Sequence, residues 1–424
     1  MKLQKIISHL QRLHPKEIDL GLSRIKKLCS KIGNLQDNLK CIQIAGTNGK
    51  YSTIQAIRSI LKEAGINCNI YISPHVKKIN ERFIYNDIEI SDEDLFHLLN
   101  EIEEINAGEP ITYFEILTAA FFYGCKKYTN NLTLCEFGLF AKFDAVNVLK
   151  NNLATIITSI GLDHLDWLPE NERNINKIIF EKTSCLLNSK IIVSEQSSNE
   201  ILNKIIKSIS NNPSEKIIFN SQFTYSLNEN GFIYYEDKFG GIKLPTPNLK
   251  GNFQISNIAT AIATVRNIEH LNVNENHIKS GITKIKSIAR LQELKEGKLK
   301  NLVKNNKIFV DGSHNPLGAE VLSKYLDTLN CNKHMILGMM KNKDHEKYAS
   351  VFKGKLASLT TINIPHQKNS VNKEDLKNKI SKYGFNLQSK NSVYEAITSL
   401  ELKKDDMIII TGSLYLAGEV LNLN

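Results

Sequence analysis

Lys50 closes the run Ile42-Gln43-Ile44-Ala45-Gly46-Thr47-Asn48-Gly49-Lys50-Tyr51-Ser52-Thr53. A lysine at the end of a glycine-bounded turn suits one chemistry, the neutralisation of phosphate. Apolar residues lead into the turn, and Ile54, Ile57, Ile60 and Leu61 follow at helical spacing. The run therefore predicts strand, phosphate loop, helix. Backbone N–H groups of such a loop point into one concavity, and the helix N-terminus adds positive potential. Gly46, Thr47, Asn48, Gly49, Lys50, Ser52 and Thr53 are the expected nucleotide contacts. Lys50 would neutralise the β/γ-phosphates, and the Ser52 hydroxyl would reach Mg²⁺. The competing reading is a glycine-rich turn, and the lysine, the hydroxyls and the strand–helix context together favour the nucleotide. The loop is shorter than the common G-x-x-x-x-G-K-[ST] form, and Tyr51 stands where a small residue or hydroxyl is usual.

Other polar residues gather where apolar runs end. Glu136 follows Leu134-Cys135 and precedes Phe137-Gly138-Leu139. Two readings stand for it: a Mg²⁺ ligand beside the phosphates, or an ordinary strand-end carboxylate. Asp163, His164 and Asp166 follow the apolar run that ends at Ile160. His164 is read either as a metal ligand or phosphate contact, or as part of a capped turn. Asp311-Gly312-Ser313-His314-Asn315-Pro316 follows Phe309-Val310, and is either a site or a turn with a helix N-cap. Gly412-Ser413 and Ser73-Pro74-His75 are weaker features of the same kind.

The elements that must position these residues alternate. Strands are expected at 41–45, 68–72, 132–137, 154–160, 190–194, 307–311, 334–338, 359–364 and 406–411. Helices are expected at 53–64, 92–106, 113–128, 252–270, 317–329 and 393–402. That order predicts an α/β protein with parallel sheets covered by helices. Residues 216–247 differ: short strands (Phe223-Thr224-Tyr225, Phe232–Tyr235) flank the turn signals Asn230-Gly231 and Gly240-Gly241. They predict an antiparallel patch at the edge of the first domain. The rhythm breaks near 286–300 and restarts at Lys307, so the expected domains are 1–287 and 288–424.

At 424 residues the chain exceeds one ordinary core. With 42% hydrophobic and 23% charged residues it reads as globular, and no apolar run reaches the roughly 18 residues of a membrane span. The start, Met1-Lys2-Leu3-Gln4-Lys5-Ile6-Ile7, reads as an amphipathic helix and not a signal peptide, so a cytoplasmic protein is expected. The net charge of +10 suits anionic small molecules such as ATP. The basic residues are spread out without interleaved aromatics, which argues against nucleic acid. Seven cysteines (Cys29, Cys41, Cys68, Cys125, Cys135, Cys185, Cys331) form no C-x-x-C pair, so neither a zinc site nor a disulfide framework is indicated.

Eleven ordered segments share a wider pattern: Asp19–Arg24, Ala45–Lys50, Ser73-Pro74-His75, Asn80-Glu81-Arg82, Thr112–Glu115, Glu136–Leu139, Asp144–Asn147, Ile160–His164, Glu181-Lys182, Asp311–Pro316 and Thr411–Leu416. Together they resemble the folylpolyglutamate synthase / dihydrofolate synthase family of Mur-ligase-like amide ligases, over residues 17 to 419. The resemblance implies a P-loop ATPase domain followed by a smaller Rossmann-like domain that contributes to ATP and glutamate binding. It implies phosphorylation of a substrate carboxylate by ATP, then attack by the amine of L-glutamate. The implied catalytic residues are Lys50, Glu136, His164, Lys182 and His314. Ser52, Ser73, Glu136, His164 and Lys182 are implied metal ligands, with two Mg²⁺ ions and a carbamylated Lys182. Asn257, Arg290 and Asp311 are implied ATP contacts. Asp19, Leu20, Gly21, Leu22, Thr112, Tyr113, Phe114, Glu115 and Lys142 are implied substrate contacts. The first four and Thr112–Glu115 match pterin-binding segments of the bifunctional bacterial type. The implied partners are dihydropteroate or a reduced folate, L-glutamate and ATP, bound to a monomer, with no nucleic acid or membrane.

The chain departs from the family pattern at Tyr51, at Phe140-Ala141-Lys142 where Gly-Gly-Arg is usual, and at Thr183-Ser184-Cys185 after Lys182. Lysine cannot hold a carboxylate bidentately as arginine does. Two other readings remain: a related ligase for another carboxylate, and an ATP-binding relative without turnover.

Overall fold

The computed structural model describes all residues except 1, 17, 18, 185, 188, 229–231 and 304. Cys185 and the Asn230-Gly231 turn therefore lie outside the described residues. Two compact units form. The first comprises Met1–Ile160, Glu172–Asn248 and Ile255–Ile285; the second comprises Gly161–Asn171, Leu249–Gln254 and Lys286–Asn424. The main division falls at Ile285/Lys286, close to the expected 287/288. Two short segments depart from that linear division, because 161–171 and 249–254 pack with the second unit.

In chain order the first unit carries β1 (Cys41–Ala45), β2 (Cys68–Tyr71), β3 (Phe83–Tyr85), β4 (Ile88–Glu89), β5 (Leu132–Glu136), β6 (Asn152–Ile157), β7 (Lys190–Val193) and β8 (Lys216–Ile218). They form one sheet in the order β4-β3-β2-β5-β1-β6-β7-β8. Every pair from β2 to β8 is parallel, while β3 and β4 are antiparallel additions at one edge. All residues of β1 and β5 are buried, the polar Gln43, Thr133 and Glu136 included, as expected of strands covered on both faces. β1 and β5 are neighbours in the sheet although 86 residues separate their ends, and the chain leaves β1 toward β2 on the far side of β5. That reversal in strand order places a crevice at the carboxyl ends of β1 and β5.

The patch after residue 216 divides in two. Lys216–Ile218 joins the large sheet as β8, whereas β9 (Phe223–Leu227), β10 (Ile233–Asp237) and β11 (Gly240–Leu244) form a separate antiparallel sheet. Gly240 and Gly241, expected in a turn, open β11 instead. The turn falls on Lys238-Phe239, where the Asp237 carboxylate accepts the Phe239 N–H.

The second unit holds β12 (Gln292–Leu294), β13 (Lys307–Val310), β14 (Lys333–Leu337), β15 (Ser358–Thr361), β16 (Leu387–Ser389) and β17 (Met407–Thr411) in the order β12-β13-β17-β14-β15-β16. All pairs are parallel except β12 with β13. Phe309, Met335, Leu359 and Ile409 on the strands meet Leu322 and Tyr348 from helices and Phe352 from the turn after His345–Ser350 in one core. Truncating such a residue to alanine costs about 2–5 kcal/mol.

Candidate functional site

The turn after β1 is held in shape from below. The Thr47 and Asn48 amides both donate to the Ser159 carbonyl, at 2.9 and 3.1 Å. These two N–H groups do not line a phosphate concavity as expected; they fix the loop to the end of the β6 strand region. Gly46 (φ +139°) and Gly49 (φ +93°) cannot carry side chains: a Cβ on Gly46 would meet Thr158 Oγ1 at 2.0 Å, and one on Gly49 would meet Asn257 Oδ1 at 2.5 Å. The loop and Asn257 are thus in one place, as the ATP assignment needs. The helix Lys50–Glu63 starts directly after. Ser52 and Thr53 are buried in its first turn, and Thr53 Oγ1 has no protein partner. Tyr51 is half-buried.

Lys50 Nζ folds over the loop, donating to the carbonyls of Gly46 and Thr47 at 3.2 Å each. It lies 3.6 Å from Glu136 Oε1, with both side chains largely buried. The other carboxylate oxygen, Oε2, accepts from the Ser73 amide at 3.4 Å. Ser73 Oγ is buried without a hydrogen-bond partner. It lies 3.3 Å from where a Cβ on Gly138 would stand, and the Phe114 ring borders the same position at 3.0 Å. Among the described residues, no three His, Cys, Asp or Glu side chains form a preassembled metal cluster. One carboxylate with an orphaned hydroxyl is instead the sparse donor set that Mg²⁺ completes with phosphate oxygens and waters.

The next loop is pinned at several points. Asp144 Oδ2 accepts the Gly138 and Leu139 amides at 2.8 and 3.2 Å, and Oδ1 accepts Val146 at 3.0 Å. Burial pushes the Asp144 carboxyl up to about 6, although those three amides and Lys182 oppose the rise. The Ala141 amide donates to the Glu181 carbonyl at 3.0 Å. The buried Lys182 donates to the Leu139 carbonyl at 2.8 Å, and its ammonium sits 5.7 Å from the Phe140 ring centroid. Lys142 lies over the Phe143 ring at 5.1 Å. Beside Ser73, His75 Nδ1 accepts from Arg82 Nε at 3.0 Å. Burial, followed by the Arg82 charge, lowers the imidazole to about 4.

In the second unit, Asp163 gathers residues from three segments. Lys343 Nζ reaches Oδ1 at 2.6 Å, Asn315 Nδ2 reaches Oδ2 at 2.9 Å, and His314 Nε2 lies 3.5 Å from Oδ2. Oδ1 also accepts the amide of His164, which holds a left-handed backbone (φ +57°). Burial alone would raise the Asp163 carboxyl, but His314, His164 and Lys343 hold it well below the usual carboxylate range. His164 was expected with Ser73 and Glu136. It falls in the second unit, where its neighbour Asp163 is bonded. Asn315 is the N-cap of the helix Pro316–Asp327, so the turn-and-cap reading holds for that residue. His314 Nδ1 sits 2.9 Å from the Gly312 carbonyl. Asp311 bonds the Leu291 amide through Oδ2 and the Ser313 amide through Oδ1, both at 2.9 Å. Arg290 and Asp311 are thereby brought together.

A family model described as "Mur ligase, glutamate ligase domain" matches residues 297–414. The dihydrofolate synthase/folylpolyglutamate synthase of Escherichia coli (strain K12) is 29% identical over 342 residues, 80% of this chain and 76% of that protein. The protein of that name from Bacillus subtilis (strain 168) is 28% identical over 428 residues, 94% of each chain. The structure of E. coli FolC in complex with DHPP and ADP superposes with a TM-score of 0.88, at 27% identity, over 99% of this chain and 97% of that one. The chain is homologous over nearly its whole length to proteins described as dihydrofolate synthase/folylpolyglutamate synthase. A bifunctional family member from Yersinia pestis, solved with AMPPNP and Mn ion, shares the fold at a TM-score of 0.86 and 23% identity, covering 99% of this chain and 97% of its own.

The two segments expected to bind the pterin are joined by Arg24, a residue outside the expected site. Arg24 Nη1 and Nη2 donate to Asp19 Oδ2 and the Asp19 carbonyl at 2.8 and 2.6 Å, and its Nε donates to Glu115 Oε2 at 2.9 Å. Leu20 is exposed, Gly21 and Leu22 are half-buried, and Thr112 is buried. Tyr113 and Phe114 are half-buried at the start of the helix Tyr113–Gly124. Sequence reasoning passed over Arg24, Asp144, Asp163 and Lys343 as functional residues. The first three stand inside quoted motifs, where an acid or base beside a family residue was the available signal. Lys343 stands in no such pattern, and only the folded chain brings it to Asp163.

Proposed function

We propose that this chain is an ATP- and Mg²⁺-dependent ligase that joins L-glutamate to dihydropteroate and to reduced folates, releasing ADP and phosphate. The observation that carries this reading is Lys50 set against Glu136 at adjacent strand ends beside the unpaired Ser73 hydroxyl. In this reading a substrate carboxylate oxygen attacks the γ-phosphorus of ATP while the bond to the ADP oxygen breaks. The neutral amine of L-glutamate then attacks the acyl carbon, phosphate leaves, and the nitrogen loses a proton. A carboxylate is a poor acylating agent, and phosphorylation supplies its leaving group. The protein's part is to align anions and offset their charge.

Each residue then has a task. Lys50 and the Gly46–Thr53 turn hold the phosphates, with Asn257, Arg290 and Asp311 as further ATP contacts. Glu136, Ser73 and Ser52 would hold Mg²⁺, which when bound neutralises phosphate charge and polarises the transferring group. Lys182 fits carbamylation in one respect: a carbamate keeps an N–H for the Leu139 carbonyl while adding two oxygens for a second ion. Mass spectrometry of the intact protein tests that modification. His164 and His314, anchored through Asp163, are assigned to phosphate contact. Asp19–Leu22, Thr112–Glu115 and Lys142 are assigned to the pterin-bearing substrate. A monomer in the cytoplasm goes with this small-molecule chemistry, and size-exclusion chromatography tests the monomer.

The test supplies purified protein with ATP, Mg²⁺, L-glutamate and either dihydropteroate or a reduced folate, and follows ADP release. Turnover with both supports the reading. Turnover only with an unrelated carboxylate, or tight ATP binding without turnover, overturns it.

A further inference from the structure

β6 and β7 pair in parallel as far as Ile157 opposite Val193, and their last backbone bond runs from the Ser194 amide to the Ile157 carbonyl at 2.9 Å. Beyond that point a side chain continues the ladder. Gln196 Oε1 accepts the Ile160 amide at 2.9 Å, and Nε2 donates to the Ser194 carbonyl at 3.0 Å and to the Thr158 carbonyl at 3.4 Å. In a parallel ladder, the residue opposite position i donates to the carbonyl of i−1 and accepts from the amide of i+1. The half-buried Gln196 carboxamide makes both bonds around Ser159. It therefore fills the place of the residue that would stand opposite Ser159.

That place matters because of what hangs on the other side of Ser159. Successive backbone groups of a strand point in opposite directions within the sheet. With the Thr158 carbonyl and Ile160 amide turned to Gln196, the Ser159 carbonyl turns away from it and accepts the Thr47 and Asn48 amides at 2.9 and 3.1 Å. Thr158 lies under the same turn, against Gly46 and Gly49. We infer that Gln196 is a positioning residue for the nucleotide. It holds residues 158–160 straight past the end of β6, and so fixes the Ser159 carbonyl from which the Gly46–Lys50 turn is suspended. It acts through Ser159, not by contact with phosphate. This inference rests on the proposed ATP site.

The decisive variant is Gln196→Met, which keeps the length of the side chain and removes both the acceptor and the donor. ADP and dihydropteroate affinities are measured separately by titration calorimetry, alongside the melting temperature. The expected result is an ADP affinity lowered about tenfold, with dihydropteroate affinity within about twofold of wild type. Lost stability alone does not produce that split, because the affinity of a ligand falls only with the fraction of protein competent to bind it. Unchanged ADP affinity overturns the inference, and so does an equal loss for both ligands. If Gln196→Met does not fold, Gln196→Glu is read in the same way, since it keeps an acceptor for the Ile160 amide and loses the donor. Selective loss of ADP affinity then supports the inference, and unchanged affinity overturns it. Wild-type protein that binds dihydropteroate but no ADP overturns the ATP site itself, and the inference falls with it. Wild-type protein that binds ADP but no pterin overturns the pterin part of the functional reading and leaves the ADP comparison to decide the inference.

Discussion

Lys50 Nζ and Glu136 Oε1 stand 3.6 Å apart at the carboxyl ends of β1 and β5, which pair in parallel with Ile44 opposite Glu136. The sheet register sets β1 beside β5, and the turn after β1, whose Gly46 and Thr47 carbonyls accept from Lys50, carries the ammonium to Glu136. Glu136 is the last residue of the fully buried β5, and Lys50, five residues past the end of β1, opens the helix that follows the turn. The proposed roles predict that Lys50→Ala and Glu136→Ala each lower turnover by about 10²-fold or more, while circular dichroism and gel filtration match wild type. Near-normal rates in either variant would remove it from the site.

Ser73 offers a cleaner separation of binding from folding. Its hydroxyl has no protein partner, so Ser73→Ala gives up no internal hydrogen bond. The melting temperature is expected to stay within a degree or so of wild type. The Mg²⁺ concentration for half-maximal ADP release should rise about tenfold, the scale of losing one ligand-shell oxygen. A metal titration of both proteins checks this, and an unmoved midpoint would show that Ser73 does not serve the ion.

Asp163 and Lys343 form a buried ion pair at 2.6 Å. Asp163→Ala would leave the Lys343 ammonium and the Asn315 amide without their acceptor, at a cost of about 3–5 kcal/mol. Adding Lys343→Met removes the stranded charge and should recover most of that loss. Urea unfolding of the single and double variants measures the recovery. A double variant as weak as the single one would show that the cavity, not the charge, carries the cost.

His75 gives a pH dependence with a definite sign. Its imidazole is held near 4 in the folded protein, below the ordinary 6.5, by burial and then by Arg82. The unfolded chain therefore takes up a proton before the folded chain does. The His75 contribution is complete above about pH 6.5 and is lost as pH falls from there toward 4, by at most about 1.4 kcal/mol per pH unit. Urea midpoints between pH 8 and pH 5 should fall more steeply for wild type than for His75→Gln. Parallel curves would contradict the assignment.

The strand ends were legible in the sequence because buried parallel strands leave largely apolar runs: Glu136 and Asp311 stand at the end of one, and Lys50 closes the glycine-bounded turn after another. The edge elements were not. β3, β4, β12 and β16 are two or three residues long, too short to show a period. The placement of 161–171 with the second unit was hidden for a different reason. It depends on Asp163 meeting Asn315 and Lys343, residues more than 150 positions away, and no local spacing encodes that. Glu115 shows the same limit. Thr112-x-x-Glu115 announces a capping box, but only the folded chain reveals that Arg24 takes the capping oxygen and leaves the other one bare.

The central claim is that Lys50, Glu136 and Ser73 serve a ligase acting on a pterin-bearing carboxylate. The most direct measurement is ADP release by the purified protein with ATP, Mg²⁺, L-glutamate and dihydropteroate, with product mass followed in parallel. The expected result is glutamate-dependent ADP release matched one for one by a product carrying one added glutamate, and the same with a reduced folate. ADP release that ignores both pterin substrates, or none at all from protein that binds ATP, would contradict it.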